Sequence, residues 1–252
     1  MNIAVVTGAS SGLGEEFVKQ INNTYKNLDE IWLIARRKER LEEIAKSITV
    51  PCRILALDIT KDADIALLNQ TLNDIKPNVK ILVNNAGYGK LGNFENLDIA
   101  DNAGMITLNC QALTVITQTI LPFMPKNSEI INISSIASFV PNARMAVYCS
   151  TKAYVTSFSR ALRHELKPKK INVLAVCPGP MATEFLKIAD ITPGASRTFD
   201  TLPYVKAENV AKKSIIASKK GRAVYTNRVF YKFYRFLSRI VPHKILMLFS
   251  AT

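Results

Sequence analysis

The N-terminal segment joins a strand pattern to a glycine-rich turn and a helix pattern. Residues 3–7 are an apolar, largely β-branched run of the kind found in strands buried on both faces. Phe17, Val18 and Ile21 then recur at helical spacing. The turn between them consists of Gly8, Ala9, Ser10, Ser11, Gly12, Leu13 and Gly14. Glycines let backbone N–H groups approach a phosphate, and a helix N-terminus adds unpaired donors, so this order predicts an anion site. Such a turn also occurs as a plain strand-to-helix connection.

The second strand pattern, residues 31–35, ends at a pair of arginines, Arg36 and Arg37. In a dinucleotide site, the group at the end of this strand contacts the adenosine ribose. An acidic group there bonds the free hydroxyls of NAD, whereas a guanidinium pairs with the 2′-phosphate of NADP. The arginines therefore favour NADP over NAD. The alternative is that the run, continued by Lys38 and Arg40, is the solvated start of a helix.

Further apolar strand patterns are separated by helical patterns or long crossovers. They lie at residues 54–57, 81–83, 130–133, 173–176 and 223–225. This alternation predicts an α/β fold: a single-domain, Rossmann-like, doubly wound parallel sheet of about seven strands with helices on both faces. Ligands of such a sheet bind at the carboxyl ends of its strands. We expect residues 1–218 to form this core, with the cofactor and catalytic site.

Two further segments have expected roles of their own, one within this core and one after it. Residues 181–206 follow the sixth strand and carry an apolar set, so they are expected to form a substrate lid. The same set also fits an ordinary amphipathic helix. The set is Phe185, Leu186, Ile188 and Ile191. Residues 219–252 are expected to hold the last strand and a basic, amphipathic C-terminal extension packed on or beside the core.

The C-terminal extension combines a cationic and an apolar helix face. The cationic residues at helical spacing are Arg228, Lys232, Arg235 and Arg239, and the apolar ones are Phe230, Phe233, Leu237 and Ile240. Residues 228–249 therefore fit a helix that lies on an anionic membrane surface. The alternatives are a helix that packs on the domain, covers the substrate cleft or joins a partner subunit.

Several motifs, in the expected order over about residues 1–218, resemble the short-chain dehydrogenase/reductase family. They are Thr7 with the glycine-rich turn, Asn84-Asn85-Ala86-Gly87, Asn109, Ser135, Tyr148 with Lys152, and Pro178-Gly179 followed by Thr183. The resemblance implies that Ser10 and Arg36 receive the 2′-phosphate and that Asp58 and Ile59 flank the adenine. It also implies that Thr183 holds the nicotinamide carboxamide. The further residues that would line the cofactor are Asn85, Ala86, Gly87, Pro178 and Gly179.

Tyr148 and Lys152 share one face of a helix predicted over residues 148–166. Reduction of a ketone needs a hydride and a proton for the developing alkoxide. A phenol titrates near pH ~10, and we expect the Lys152 ammonium to lower the pKa of Tyr148. Tyr148 is therefore the predicted general acid and base, and Ser135 would hydrogen-bond the substrate oxygen. The resemblance implies that Lys152 also binds the nicotinamide ribose and that Asn109 holds a water beside Lys152.

Each of these residues has a plainer interpretation when taken alone. A Tyr-x-x-x-Lys spacing is ordinarily two residues on one helix face, and Asn109 also fits a capping role. His164 and His243 are isolated, so we expect no metal site.

Charge and cysteine content limit the partners. A net charge of +13 indicates an anionic partner, such as a cofactor phosphate or a membrane surface. No zinc-finger spacing, RNA-binding aromatic signature or basic tail points to nucleic acid. The four dispersed cysteines fit reduced thiols in the cytoplasm, with the inner membrane face as a peripheral alternative. No apolar run reaches the roughly 18–20 residues that span a bilayer, and no export signal is expected.

These observations predict an NADP(H)-dependent oxidoreductase that moves hydride between nicotinamide and a ketone or secondary alcohol. A hydrophobic substrate, such as a steroid or acyl derivative, is favoured. A 3-oxoacyl reductase is the alternative enzyme, and a catalytically silent NADP-binding sensor or scaffold is the alternative of another class. The resemblance implies a homodimer or homotetramer built through helices at about residues 100–121 and 148–166.

Overall fold

A computed structural model describes residues 1–249, so the last three residues of the predicted extension, 250–252, lie outside the described part. Seven strands form one parallel sheet in the order β3-β2-β1-β4-β5-β6-β7. They are β1 Asn2–Thr7, β2 Glu30–Ala35, β3 Cys52–Ala56, β4 Asn78–Asn84, β5 Glu129–Ile133, β6 Asn172–Val176 and β7 Val224–Tyr225. The predicted parallel sheet of about seven strands is confirmed, with small differences at the strand ends.

Helices cover both faces of this sheet. They are α1 Gly12–Thr24, α2 Lys38–Lys46, α3 Asp62–Ile75, α4 Ile99–Ile106, α5 Leu113–Ile120, α6 Ala146–Glu165, α7 Glu184–Ile188, α8 Arg197–Thr201, α9 Ala207–Lys219, α10 Val229–Ile240 and α11 His243–Phe249. Along β1, Ala4 and Val6 pack with α1, α2 and α9, whereas Ile3 and Val5 pack with α3 and α5. Both faces of the strand are thus buried, which explains why its sequence is continuously apolar.

One helical segment of the described residues, Ile99–Phe123, is long and apolar enough to cross a membrane by length and composition. It consists of α4, a π-helical turn at Thr107–Ala112, α5 and a short terminal turn. Ile116 and Ile120 are fully buried in the cluster between α5 and the sheet. We therefore interpret this segment as a core helix, because core helices of globular proteins can also be this long and apolar.

A chain of buried polar side chains ties the centre of the sheet to the helices on one face. Asn84 Nδ2 donates to Asn132 Oδ1 at 2.8 Å and to Thr117 Oγ1 at 2.9 Å. Asn132 Nδ2 in turn donates to Ser159 Oγ at 2.9 Å. Because these groups are buried, each depends on its neighbour for a hydrogen bond. The chain therefore holds β4, β5, α5 and α6 in one arrangement.

Replacing Asn132 should lower stability, because Asn132→Ala removes one hydrogen-bond partner from the buried Asn84 amide and one from the buried Ser159 hydroxyl. We expect the free energy of unfolding to fall by about 2–4 kcal/mol. Urea unfolding, followed by the fluorescence of the fully buried Trp32, measures the change. The control is Asn73→Ala on α3, an exposed amide that bonds only its own helix. Equal midpoints for the two variants would show that the buried chain adds no stability.

Candidate active site

The glycine-rich turn lies where β1 ends against the loop that follows β4. Gly8 adopts a φ of +63°, and a Cβ added there would stand 2.8 Å from Ala86 Cα. A Cβ on Gly14 would overlap the Gly8 carbonyl oxygen. Asn85 Nδ2 donates to the carbonyl oxygens of Thr7 and Gly8 at 3.2 and 3.1 Å. The glycines therefore permit a close approach that brings the start of α1 to the edge of a cavity.

A cavity of about 1110 Å³ runs along the carboxyl ends of the strands. Its lining includes all but two of the predicted site residues. These are Gly8, Ser10, Ser11, Gly12, Leu13, Arg36, Arg37, Asp58, Ile59, Asn85, Ala86, Gly87, Ser135, Tyr148, Lys152, Pro178, Gly179 and Thr183. Gly14 and Asn109 lie behind this lining. The cavity spans the topological switch point between β1 and β4, where sheets of this class bind ligands.

The predicted catalytic groups meet at one end of the cavity. Helix α6 carries Tyr148 and Lys152, and Ser135 follows β5. The Ser135 hydroxyl interacts with the Tyr148 phenol in the sense that lowers its pKa. Lys152 Nζ donates to the Ile133 carbonyl oxygen at 3.0 Å and lies 5.7 Å from the centre of the Tyr148 ring. Two hydroxyls and an ammonium group are thus held together in a buried corner.

Burial decides the protonation of this corner. It raises the pKa of the Tyr148 phenol, and the interaction with Ser135 offsets only part of that effect. It also lowers the pKa of the Lys152 ammonium to about 8. The expectation of a lowered Tyr148 pKa is therefore wrong for this structure, because desolvation of the phenolate outweighs the groups that stabilise it.

Both polar atoms of the Asn109 side chain are hydrogen-bonded within the protein. Nδ2 donates to the Tyr88 carbonyl oxygen at 2.8 Å and to Thr151 Oγ1 at 3.0 Å, and Oδ1 accepts from Tyr88 N at 3.0 Å. It sits in the π-helical turn, a local widening that often occurs at functional sites. A Cβ on Gly87 would stand 2.8 Å from Asn109 Oδ1 and 3.4 Å from Lys152 Nζ. The Asn109 amide is thus bonded to the backbone of Tyr88 and to the side chain of Thr151, the residue before Lys152.

The other end of the cavity is basic. Arg37 donates to Ser10 Oγ at 3.2 Å and forms a salt bridge of 2.8 Å with Glu184. Burial alone would raise the pKa of the Asp58 carboxyl, but hydrogen bonds from Thr60 and the charge of Arg36 help to lower it. Arg37 therefore shares the predicted phosphate position with Ser10, and Arg36 lies toward the predicted adenine position.

The predicted lid lines the cavity beside Tyr148. The Phe185 ring centre lies 5.6 Å from that of Tyr148. A Cβ on Gly89 would stand 2.7 Å from Tyr148 Cδ2 and 3.1 Å from Phe185 Cζ, so a side chain at this position would press on both rings. Leu186 and Ile188 also face the cavity. Ile191 does not, since it is buried in the apolar cluster that contains Tyr148.

The C-terminal extension contributes lining residues that the sequence did not assign to the site. They are Phe230, Tyr231, Phe233, Tyr234, Leu237 and Leu246. Tyr231 is fully buried against Gly179, and its hydroxyl donates to the Pro203 carbonyl oxygen at 2.9 Å. Gly179 N donates to Asn227 Oδ1 at 3.0 Å. The helical spacing of residues 230, 234 and 237 indicates that they share one helix face, but it does not indicate what that face contacts.

The residues present fit a nicotinamide dinucleotide. The glycine turn exposes backbone at the start of α1, where a pyrophosphate binds, and Ser10 with Arg37 offers donors to an adjacent phosphate. Thr183 lies beside the glycine turn, where a Cβ built on Gly12 would stand 3.3 Å from Thr183 Cβ. Within residues 1–249, no group of three or more His, Cys, Asp or Glu side chains is arranged to hold a metal ion.

Comparison with known proteins agrees with this geometry. A family model described as short chain dehydrogenase matches residues 2–192. A probable NADP-dependent dehydrogenase of Haemophilus influenzae is 36% identical over 234 residues, which cover 90% of this chain and 91% of that protein. An NADP-dependent 3-hydroxy acid dehydrogenase of Schizosaccharomyces pombe is 35% identical over 189 residues, or 72% of each.

Among solved structures, a short-chain dehydrogenase from Sphingobium yanoikuyae in complex with NADPH is similar, with a TM-score of 0.80 and 27% identity. The match covers 98% of this chain and 96% of that one. The motifs, the sheet order and the family match agree, and the chain belongs to the short-chain dehydrogenase/reductase family of oxidoreductases.

Proposed function

We propose that this protein is an NADPH-dependent reductase of hydrophobic ketones, reversible in principle, with Tyr148 as its general acid and base. The observation that carries the proposal is the buried corner in which Ser135, Tyr148 and Lys152 meet at one end of the cavity. Bound NADPH would supply the hydride, held by the glycine turn, Asn85 to Gly87 and Thr183. A silent sensor or scaffold would have no need to keep these three groups together.

The proton chemistry follows from the three side chains. As negative charge grows on the substrate oxygen, the Tyr148 hydroxyl gives it a proton and the Ser135 hydroxyl stabilises it by a hydrogen bond. The resulting phenolate is unfavourable in a buried site unless a positive charge is near. Lys152 supplies that charge, since an ammonium with a pKa of about 8 is still mostly protonated at neutral pH. Asn109 positions Lys152 through the Tyr88 loop and Thr151.

The walls around this corner support an apolar substrate. Side chains from the lid and the C-terminal extension contribute many apolar groups to the lining. They include Phe185, Leu186, Phe199, Leu202, Phe230, Phe233 and Leu237. A steroid or a fatty-acyl derivative fits this chemistry. A 3-oxoacyl reductase is the alternative, favoured by the relative named as a 3-hydroxy acid dehydrogenase, because a 3-hydroxy acid is what reduction of a 3-oxo acid yields.

The quaternary structure is part of the proposal. Ile99 and Ile106 on α4 and Tyr154 on α6 are exposed apolar side chains, and α4 and α6 are the helices through which we propose a homodimer or homotetramer forms. The cytoplasm remains the proposed location, in keeping with four free cysteines within the described residues.

The general acid assignment is tested by Tyr148→Phe. Since a positioned acid and base contributes about 10²–10⁴-fold, we expect kcat to fall by that factor while NADPH affinity stays nearly unchanged. The measurement is NADPH oxidation across a panel of steroid, acyl and aromatic ketones, with NADPH binding followed by its fluorescence. Tyr154→Phe, on the exposed side of the same helix, is the control. Normal turnover by Tyr148→Phe would overturn the proposal, as would a wild-type protein that binds neither NADPH nor NADH.

Cofactor preference is tested by Arg36→Ala combined with Arg37→Ala. Charged hydrogen bonds contribute roughly 1.5–3 kcal/mol, so NADPH should bind about 10- to 100-fold more weakly, with NADH affinity almost unaffected. Arg40→Ala is the control, because Arg40 pairs with Glu15 and Glu43 on the surface. An equal loss of affinity for both nucleotides would show that the arginines do not select the 2′-phosphate.

A further inference from the structure

Helix α10 presents an apolar face to solvent. Val229, Phe233, Phe236 and Ile240 are 56–80% exposed, and their spacing of three and four residues aligns them on one side of the helix. We call these four residues the C-terminal stripe. Ile245 and Leu248 of α11 extend the exposed apolar surface. A contiguous set of this kind on a protein surface marks an interaction site.

The opposite side of α10 is already occupied. Tyr231 is fully buried against Gly179, and Tyr234 packs 6.2 Å from the Phe139 ring centre. The helix is therefore fixed to the core through one side. Its exposed aromatic side is not needed for that contact, so it is available to a partner.

The charged residues around the C-terminal stripe indicate what kind of partner it contacts. Lys232 and Arg239 are exposed and flank the C-terminal stripe on the helix surface. The sequence contains no Asp or Glu after Glu208, whereas ten Lys and Arg residues follow it. A second copy of this chain would bring two cationic surfaces together without carboxylates to pair them, which is unfavourable. An apolar stripe flanked by lysine and arginine suits the interface of an anionic bilayer, where the apolar side chains enter the acyl region and the cations meet phosphate.

We propose that the C-terminal stripe docks this protein on an anionic lipid bilayer. The α10–α11 segment lies flat on the surface, and the sheet remains outside the membrane. Phe230 and Phe233 both line the cavity and are more than half exposed, so the mouth of the cavity opens beside the stripe. Docking thus brings this mouth to the lipid. If the proposed reductase function holds, the substrate class is an apolar carbonyl compound dissolved in the bilayer.

The test is co-sedimentation of the full-length protein with vesicles of phosphatidylcholine alone or mixed with phosphatidylglycerol. The stripe variant is Phe236→Ser with Ile240→Ser, and the charge variant is Lys232→Glu with Arg239→Glu. None of the four lines the cavity. The controls are Leu67→Ser, an exposed apolar residue of α3, and Lys167→Glu with Lys169→Glu, exposed cations next to the start of β6.

We expect binding to the mixed vesicles and not to phosphatidylcholine alone, weakened at least about tenfold in both test variants and unchanged in both controls. Absence of wild-type binding to mixed vesicles overturns the proposal. So does an equal loss in the lysine control, which would indicate non-specific charge attraction. A shift from oligomer to monomer in the stripe variant, without vesicle binding by the wild type, would assign the stripe to a subunit interface. Vesicle binding needs no turnover, so failure of the reductase proposal leaves this test intact.

Discussion

The contact between the glycine-rich turn and the loop after β4 is the constraint on which the site depends. Thr7 Oγ1 accepts hydrogen bonds from the backbone of Asn85 and Ala86, and Asn85 returns bonds to the carbonyl oxygens of Thr7 and Gly8. These bonds join the two central strands just where their crossovers leave to opposite sides. A side chain on Gly8 would force the loops apart, and the cavity would lose its cofactor end.

The side chains at the catalytic end of the cavity are buried, and burial disfavours the charged forms that proton transfer requires. Desolvation holds Tyr148 protonated and lowers the pKa of Lys152 to about 8, so at neutral pH the resting corner pairs a neutral phenol with a mostly protonated ammonium. That arrangement suits a proton donor. The developing phenolate and the ammonium would interact strongly in the same low-dielectric space, so the ammonium would stabilise the phenolate as the reaction creates it.

Helix α10 serves two surfaces at once. Tyr231 attaches the helix to Gly179 and to the segment that leads into α9, while the C-terminal stripe faces away from the core. Since the same helix lines the cavity, a partner that contacts its outer side would lie next to the cavity wall. The lid approaches the cavity from another direction and is linked to the basic cofactor end by the Arg37–Glu184 salt bridge. The segment of the predicted lid and the basic end of the cavity are therefore in direct contact.

The sequence by itself determined the strands, the sheet class and most of the predicted residues that line the cavity, because apolar periodicity and glycine turns are local signals that do not need tertiary information. Tertiary structure decided three other properties. Asn109 is bonded to the Tyr88 backbone, a contact between distant segments. The pKa of Tyr148 rises because surrounding elements exclude water from it, whereas sequence spacing showed only the neighbouring Lys152. For α10, periodicity predicted two helix faces but not which of them is buried. Packing against the core decides that the face with Tyr231 is buried, because burial depends on the elements that contact the helix.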